Sequence, residues 1–247
     1  MAITSGSGPR PPRVRAGGRR RSRQRAGILR ESIFGVNDGL VATVGLVSGE
    51  VLSHQPHGAV LVAALSAMGA ATVSMGIGSF LASSTQNAFL QKQIRDQEAK
   101  LARWPAHERR HVVQLLSAIG LSRHTIPRAA REITRSRPRW LRFMVRERLG
   151  VHENQWESPV ANAVVMAVAV VVGSIPPVLP FLLPLSVLAA RNLAWGASLA
   201  AAFAIGYGKG VMTDSPRLKS AVQFLLLAGA SAAVGASIGL LLGHAGA

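Results

Sequence analysis

Five long stretches of mostly apolar residues divide the chain, at about 33–52, 58–81, 160–183, 185–207 and 220–243. Each is long enough to cross a bilayer, for which a helix needs roughly 20 apolar residues. Ser158-Pro159 precedes the third stretch and Ser215-Pro216 precedes the fifth, and each supplies a capping hydroxyl followed by a proline suited to a helix start. The pattern predicts an all-α polytopic membrane protein with five transmembrane helices and a helical cytoplasmic insertion between spans two and three.

The polar segments between these spans predict four regions. Residues 1–30 hold nine arginines and no acidic residue, with Gly, Ser and Pro between them, which is typical of a disordered basic tail. Spans one and two lie within 31–83, the insertion within 84–157, and spans three to five within 158–247. A soluble fold would need to bury five helices that are apolar on all sides within 26.0 kDa, so we expect a membrane protein.

The distribution of charge predicts the orientation of the spans. The net charge of +17 comes from 24 Arg and 4 Lys against 11 acidic residues. With the N-terminus in the cytoplasm, residues 1–30, 84–157 and 208–219 are cytoplasmic and hold 9, 15 and 3 of the 28 basic residues. Because positive charge stays on the cytoplasmic side during insertion, we expect the N-terminus inside and the C-terminus outside.

The same rule explains the high charge without nucleic acid, so we expect no nucleic-acid partner. The Arg-rich stretch 128–148, with Trp140 and Phe143 interleaved, suggests contact with anionic lipid. The chain has no cysteine, which excludes disulfides, thiolate ligands and thiol nucleophiles. Glycines spaced four apart in span one, at 35 and 39 and at 45 and 49, suggest close packing or a self-associating helix.

The first span carries a carboxylate, Asp38, beside Asn37 within the run IFGVNDGLVATVGLVSG. An ionisable residue inside a span costs several kcal/mol unless it faces protein, water or a partner. Met75 of span two, which runs antiparallel, is predicted roughly 7–9 Å inside the same cytoplasmic boundary as Asp38. A carboxylate, a thioether and an amide at one level suit a borderline transition metal such as Fe²⁺. Two simpler interpretations stay open: plain packing for Met75, and a helix-end carboxylate reaching water for Asp38.

These residues lead to a family. The run FGVNDGLV at 34–41 and the run SMGIGSF at 74–80 resemble the vacuolar iron transporter (VIT) family. The resemblance continues through PAHE at 105–108, Gly120-Leu121, WLRFM at 140–144, Leu149-Gly150 and PPVLP at 176–180. It implies a homodimer with a path between subunits near span one, which exports Fe²⁺ and often Mn²⁺ from the cytosol in exchange for protons. Asp38 and Met75 fall on the family's pathway residues, the ion is cargo, and neither a resident cofactor nor an enzymatic activity is expected.

The chain also departs from the family's pattern. Ser79 stands where the family has a glutamate in span two. In the insertion Glu108 and Met144 match the family's metal ligands, whereas other positions read Gln97, Lys100, His111, Val145 and Arg148. With 15 basic and 7 acidic residues, the insertion should repel divalent cations. Glu108 and His111, at i,i+3, could still hold one metal together with Met144; a solvated helix surface is the alternative.

Three further features complete the candidate chemistry. Residues 107–111 spell HERRH, a literal HExxH in which two histidines would bind zinc and Glu108 would act as a base. No third ligand follows at a familiar spacing, so we expect no protease. Glu50, near the outer end of span one, could be an exit step for metal or protons. His54 and His57 in the outer loop could receive released metal, or be ordinary loop residues.

The sequence therefore predicts a transporter of divalent transition metals, with a pathway through Asn37, Asp38, Met75, Ser79 and Glu50. An alternative is a membrane interaction protein on the same scaffold that has lost metal handling, which Ser79, Arg148 and the basic insertion favour. High Arg and Ala with little Lys suggests a GC-rich bacterial gene, and hence the bacterial plasma membrane.

Overall fold

The computed structural model describes residues 16–148 and 156–245, and within these ranges the chain is helical with no strand. Its helices are α1 (Ala16–Leu52), α2 (His57–Arg103), α3 (Pro105–Ala118), α4 (Ile126–Thr134), α5 (Arg137–Glu147), α6 (Pro159–Val178), α7 (Val187–Met212) and α8 (Arg217–Ala245), with a short 3-10 turn at Leu179–Leu182 after α6. Within the predicted tail, residues 1–15 lie outside the described residues, as do Leu149 and Gly150 of the family resemblance.

Five of these helices are long and apolar enough to cross a membrane, which confirms the predicted number of spans. The candidate spans are Gly27–Leu52, His57–Arg103, Pro159–Leu182, Val187–Met212 and Arg217–Gly243. The cap predicted before the third span is present, because the Ser158 hydroxyl accepts a hydrogen bond from the Ala161 backbone N–H at 3.4 Å. The protein is thus an all-α polytopic membrane protein.

The first helix starts earlier than the sequence predicted. Helix α1 begins at Ala16, so residues 16–30 of the tail that was expected to be disordered are helical. Adding a residue to an existing helix gains a hydrogen bond without a new nucleation cost, and arginine is a good helix former. Each of Gly17 and Gly18 opposes this extension by only about 1 kcal/mol.

Helix α1 lies at the centre of the bundle, where its glycines let two neighbours approach. A Cβ at Gly35 would come within 2.7 Å of Ala169 Cβ on α6, and one at Gly39 would collide with the Val170 carbonyl oxygen. On the outer half, Gly45 lies against Ser231 and Gly49 against Gly235, both on α8. The glycine spacing in span one therefore serves contacts within one chain.

These close approaches predict a large effect of one methyl group. A Cβ at Gly235 would overlap the Gly45 carbonyl oxygen, so Gly235→Ala must push α8 away from α1. We expect a loss of about 1–3 kcal/mol in the free energy of unfolding and a lower melting temperature in detergent. Gly229→Ala on the same helix is the matched control, because nothing lies within 4 Å of its Cβ. Equal melting temperatures for the two variants would contradict this packing.

The insertion is a small helical domain built on the C-terminal extension of α2. Helices α3, α4 and α5 pack their apolar sides together with Leu101 of α2, and Val112, Leu116, Ile126, Trp140 and Met144 form the buried core. Trp140 is buried and Phe143 packs against this core, so the two aromatics expected at a lipid surface serve packing instead. The arginines of that stretch remain on the outside, among them Arg128, Arg131 and Arg139.

Candidate functional site

A hydrogen bond at the end of the bundle that adjoins the insertion sets the register between α1 and α2. The Ser79 hydroxyl donates to Glu31 Oε2 at 3.0 Å, and Arg30 donates to Glu31 Oε1 at 2.9 Å. Glu31 is only 7% exposed. Ser79, which stands where the family has a glutamate on span two, is thus hydrogen-bonded in this chain to a carboxylate from span one.

Asp38 lies seven residues further along the same face of α1. Residues spaced i, i+7 and i+14 share a helix face, so Glu31, Asp38 and Gly45 are aligned. Helix α2 contacts this face at Glu31 and α8 contacts it at Gly45. Between them the face is open: Phe34 is 53% exposed and Ala42 is exposed, with Asp38 half-buried between the two. We call Phe34, Asp38 and Ala42 the α1 stripe.

The polar groups of this segment are not satisfied within the chain. Asp38 has no hydrogen-bond or ion-pair partner among the residues that the structure describes. The side-chain carbonyl oxygen of its neighbour Asn37 is buried and also unpartnered. Since unpaired polar groups inside a membrane are costly, these two residues require a ligand, water or another subunit.

Met75 lies on the inner face of α2. Its neighbours on that face contact other helices, since Gly76 packs on Ala163 and Ala167 of α6 while Ser79 contacts Glu31. From the Glu31–Ser79 contact, a rise of ~1.5 Å per residue puts Asp38 about 10.5 Å and Met75 about 6 Å deeper along antiparallel helices. Along the helices, Met75 is therefore about 4.5 Å closer to the Glu31–Ser79 end of the bundle than Asp38. A flexible thioether can cover such a difference in height.

The outer half of α1 borders an open groove against α8. Its lining includes Ala42 of the α1 stripe, Gly45, Gly49 and Glu50 from α1, and Ser231 and Gly235 from α8. Its volume is about 360 Å³. The groove continues from the level of Ala42 to the half-buried Glu50, so the predicted exit residue lines the same side of the bundle as Asp38.

The two histidines of the loop between α1 and α2 differ in their surroundings. His54 is exposed in a left-handed backbone conformation, whereas the ring of His57 is hydrogen-bonded to the Phe181 carbonyl oxygen at 2.7 Å.

A second carboxylate at the same end of the bundle as Glu31, that of Glu157, was not identified from the sequence. Its Oε2 accepts from the Ser83 hydroxyl and the Asn162 amide at 2.9 Å each, and its backbone bonds Asn87. Arg30 lies between the two acids, 3.8 Å from Glu157 Oε1 and 2.9 Å from Glu31. The i,i+7 spacing from Asp38 could have found Glu31. Glu157 has no such local signal because, apart from Asn162, its partners are 70 or more residues away.

In the insertion, Glu108 is already occupied by partners from the protein. It is 2% exposed, and Arg148 Nη1 lies 3.0 Å from both of its oxygens. The Gln97 amide donates to Glu108 Oε2 at 2.9 Å. Arg148 and Gln97, which both depart from the family's pattern, thus bond Glu108, the one glutamate of the insertion that matches it, and Arg148 neutralises its charge. Met144, the other matching residue, is fully buried within the apolar core of the domain.

The HERRH segment forms a cluster on α3. The candidate ligand atoms of His107, Glu108 and His111 all lie within 4.8 Å of one another. Arg109 turns away and stacks over the Trp140 ring at 5.8 Å. As a protease site the cluster lacks a usable base, since the carboxylate of Glu108 is buried and bonded to Arg148 and Gln97 rather than free to activate water.

Five membrane-spanning helices, with an unpaired carboxylate on the central one, define a polytopic membrane protein that has a candidate ion route. The VIT family model matches residues 29–240, and the chain belongs to this family.

The chain is also similar to named transporters. It is 28% identical over 200 residues to vacuolar iron transporter 1 of Oryza sativa subsp. japonica, and the match covers 81% of this chain and 79% of that one. It is 26% identical over 217 residues to vacuolar iron transporter 1 of Arabidopsis thaliana, covering 88% and 87%. Vacuolar iron transporter 2 of the same rice subspecies is 28% identical over 196 residues, covering 79% and 80%. These are names of transporters and not of enzymes, as expected from the sequence.

Proposed function

We propose that the protein transports divalent transition metals, Fe²⁺ and also Mn²⁺, out of the cytosol, in exchange for protons. The observation that carries this proposal is the unpartnered Asp38 on the open face of α1, beside the buried, unpartnered side-chain carbonyl oxygen of Asn37. Family membership and the names of the relatives support iron as the cargo. Oxygen ligands combined with one thioether favour a borderline cation over Mg²⁺ or Ca²⁺.

The proposed route runs along α1 from cytoplasm to exterior. Glu31 with Ser79 stands at the cytoplasmic mouth, Asp38 with Asn37 and Met75 forms the central ligand set, and Glu50 lines the outer groove. In this proposal a cation enters past Glu31, binds to the unpaired carboxylate of Asp38 and leaves toward the carboxylate of Glu50. Protons returning through the same carboxylates would complete the exchange.

The α1 stripe supports a homodimer. A single subunit leaves Phe34 and Ala42 exposed and Asp38 only half-buried in the lipid zone, where an unpaired carboxylate is costly. A second copy related by a twofold axis would place two Asp38 side chains across one shared, water-filled path, since such an interface brings the same patch of both subunits together.

We expect this interface to be detectable by cross-linking, because the chain has no cysteine of its own. Ala42→Cys should form a covalent dimer in membranes with a short thiol-reactive cross-linker. Ala204→Cys, at an exposed alanine of α7, is the matched control and should stay monomeric on denaturing gels. The dimer model fails if both variants, or neither, cross-link.

The proposed membrane is the bacterial plasma membrane, with the N-terminus in the cytoplasm and the C-terminus outside. The positive-inside rule supports the orientation, and gene composition suggests the source. The exposed arginines of α4 and α5 would then face the cytoplasm, where anionic lipid headgroups are the expected partners and nucleic acid is not.

One observation favours a second candidate function, that of a membrane interaction protein which has lost metal handling. Glu108 is bonded by Arg148 and Gln97 in the way that a metal would otherwise bond it. The two candidates differ in a simple measurement. Iron or manganese above background in the purified protein, and a higher melting temperature when either ion is added, support transport. The absence of both effects would favour the interaction protein.

The proposed function is tested by reconstitution. Liposomes that contain the protein and a metal indicator quenched by the ions should accumulate Fe²⁺ and Mn²⁺ faster than protein-free liposomes. Uptake should be faster still when the liposome interior, into which the metal is released, is more acidic than the outside. Co²⁺ and Zn²⁺ measured in parallel give the metal preference. Rates equal to those of protein-free liposomes for all four ions would refute the transport proposal.

A further inference from the structure

We propose that the bundle carries a binding site for an anionic phospholipid, in which Arg191 binds the phosphate and an apolar groove between α7 and α8 holds one acyl chain. The groove uses a different face of α8 from the one that borders Glu50, since Ala232 and Ala233 line it whereas Ser231 and Gly235 line the other. The site is therefore separate from the route along α1 and does not depend on the proposed transport.

Arg191 is the one basic residue that the charge distribution leaves unexplained, because the other 27 of the 28 lie in residues 1–30, 84–157 and 208–219. It lies in the second turn of α7, at the end of the bundle opposite the insertion. Its Nε and Nη2 atoms donate to Asn192 Oδ1 at 3.2 and 3.0 Å, which leaves the N–H groups of Nη1 for another acceptor. An arginine near the end of a span extends its guanidinium to the headgroup level, where phosphate is the abundant anion.

The anion that pairs with Arg191 must come from outside the protein. Arg191 has no ion-pair partner among the residues that the structure describes. Glu50 is the only acidic residue in the segments that meet at this end, 45–60, 175–195 and 230–245, and it lines the groove on the other face of α8. A second copy docked symmetrically on this surface would bring two guanidinium groups together. A phosphate of the membrane supplies the missing negative charge, and a guanidinium binds phosphate well.

Trp195 connects the guanidinium to the groove. The Arg191 guanidinium carbon lies 5.0 Å from the centre of the Trp195 ring, and that ring also lines the groove. The indole N–H donates to the Ser48 hydroxyl of α1 at 3.0 Å, which fixes the position of the ring. Tryptophan is enriched at the boundary between headgroups and hydrocarbon, because it joins an apolar ring to a polar N–H. A headgroup at Arg191 and an acyl chain in the groove would thus belong to one lipid molecule.

The groove is open and mostly aliphatic. Its volume is about 240 Å³, and apart from Trp195 and Ser198 its lining consists of aliphatic residues and glycine, with small residues such as Gly229 and Ala233 on the α8 side. A Cβ at Gly229 would meet nothing within 4 Å, so α7 and α8 do not close on each other at this level.

The length of the groove suits an acyl chain in one leaflet. Helices α7 and α8 touch nearer the insertion, where a Cβ at Gly206 would come within 2.7 Å of the Ala221 Cα. Beyond this contact the groove begins at the level of Leu199, and Arg191 lies a further ~12 Å along α7 at ~1.5 Å per residue. The hydrocarbon of one leaflet is roughly 15 Å thick, half of the bilayer core. The groove therefore holds most of an acyl chain whose headgroup lies at Arg191.

The test uses the full chain in detergent, with phosphatidylglycerol and phosphatidylcholine of identical acyl chains as probes and native mass spectrometry to measure the first lipid bound. We expect the parent to bind phosphatidylglycerol at least fivefold more tightly than phosphatidylcholine. Arg191→Gln should abolish this preference. Ala233→Leu, which fills the groove, should weaken binding of both lipids at least fivefold and also reduce the preference, because the headgroup is no longer held at Arg191.

The matched controls are Arg131→Gln, at an exposed arginine of α4, and Ala230→Leu, at an exposed alanine of α8 that does not line the groove. Both should bind the two lipids as the parent does, and melting curves without lipid confirm that all the variants fold. An unchanged preference in Arg191→Gln, its loss in Arg131→Gln, or equal binding by Ala233→Leu and Ala230→Leu would overturn the site. None of these results bears on transport along α1, which the liposome assay tests by itself.

Discussion

Asp38→Asn is expected to reduce Fe²⁺ uptake into liposomes at least tenfold, close to the rate without protein. The substitution keeps the size of the side chain but removes the negative charge at the centre of the proposed route. Because Asp38 has no ion-pair or hydrogen-bond partner among the described residues, its loss breaks no contact that holds the fold. A tenfold change corresponds to about 1.4 kcal/mol, which is less than a charged ligand usually contributes to cation binding.

The matched control for this prediction is Asp214→Asn, in the turn between α7 and α8. Asp214 has a φ of 52°, and asparagine adopts that left-handed conformation readily, so the control is structurally neutral. It should transport at the parent rate. If Asp38→Asn also transports at that rate, with equal protein in the liposomes, Asp38 is not a pathway ligand.

Arg148→Ala is expected to destabilise the helical insertion between spans two and three by about 2–3 kcal/mol. Removing one partner of a fully buried ion pair costs about 3–5 kcal/mol, because the other charge stays buried without compensation. Glu108 is 2% exposed, whereas the Arg148 side chain is 32% exposed, which reduces the effect. Unfolding by denaturant, followed through the tryptophans of the insertion, measures the change.

Arg146→Ala provides the control, since Arg146 is an exposed neighbour whose ion pair with Glu147 is at the surface. It should cost less than about 1 kcal/mol. Adding Glu108→Gln to Arg148→Ala removes the stranded charge and should restore part of the stability. An Arg148→Ala variant that is no less stable than Arg146→Ala would show that the Glu108 pair does not hold the domain together.

Most of the fold could be predicted because the bilayer imposes a simple rule. Each span must be long, helical and apolar, and the five predicted spans match the five in the structure. The cap at Ser158 was readable from two adjacent residues. The start of α1 was not, because composition alone does not show that an arginine-rich segment continues an existing helix.

The site was only partly accessible from the sequence. Asp38 stood out because a carboxylate in an apolar span is unusual, and Met75 followed from counting residues on an antiparallel helix. Glu157 and the Arg148–Glu108 pair could not be found in this way, because Ser83 lies 74 residues from Glu157 and Glu108 lies 40 residues from Arg148, and these groups meet only after the helices pack. Arg148, read as repelling metal, also proves to be the partner that stabilises the buried Glu108.

The central claim is that the α1 stripe lines a water-filled cation route and does not face lipid. Ala42→Cys in proteoliposomes tests it most directly, by the rate of reaction with a charged, water-soluble thiol reagent, because a thiol among acyl chains does not ionise. We predict that Ala42→Cys reacts much faster than Ala204→Cys, and that Mn²⁺ slows the reaction only while Asp38 is present. Equal, slow labelling of both cysteines, or protection by Mn²⁺ that persists in Asp38→Asn, would contradict the account.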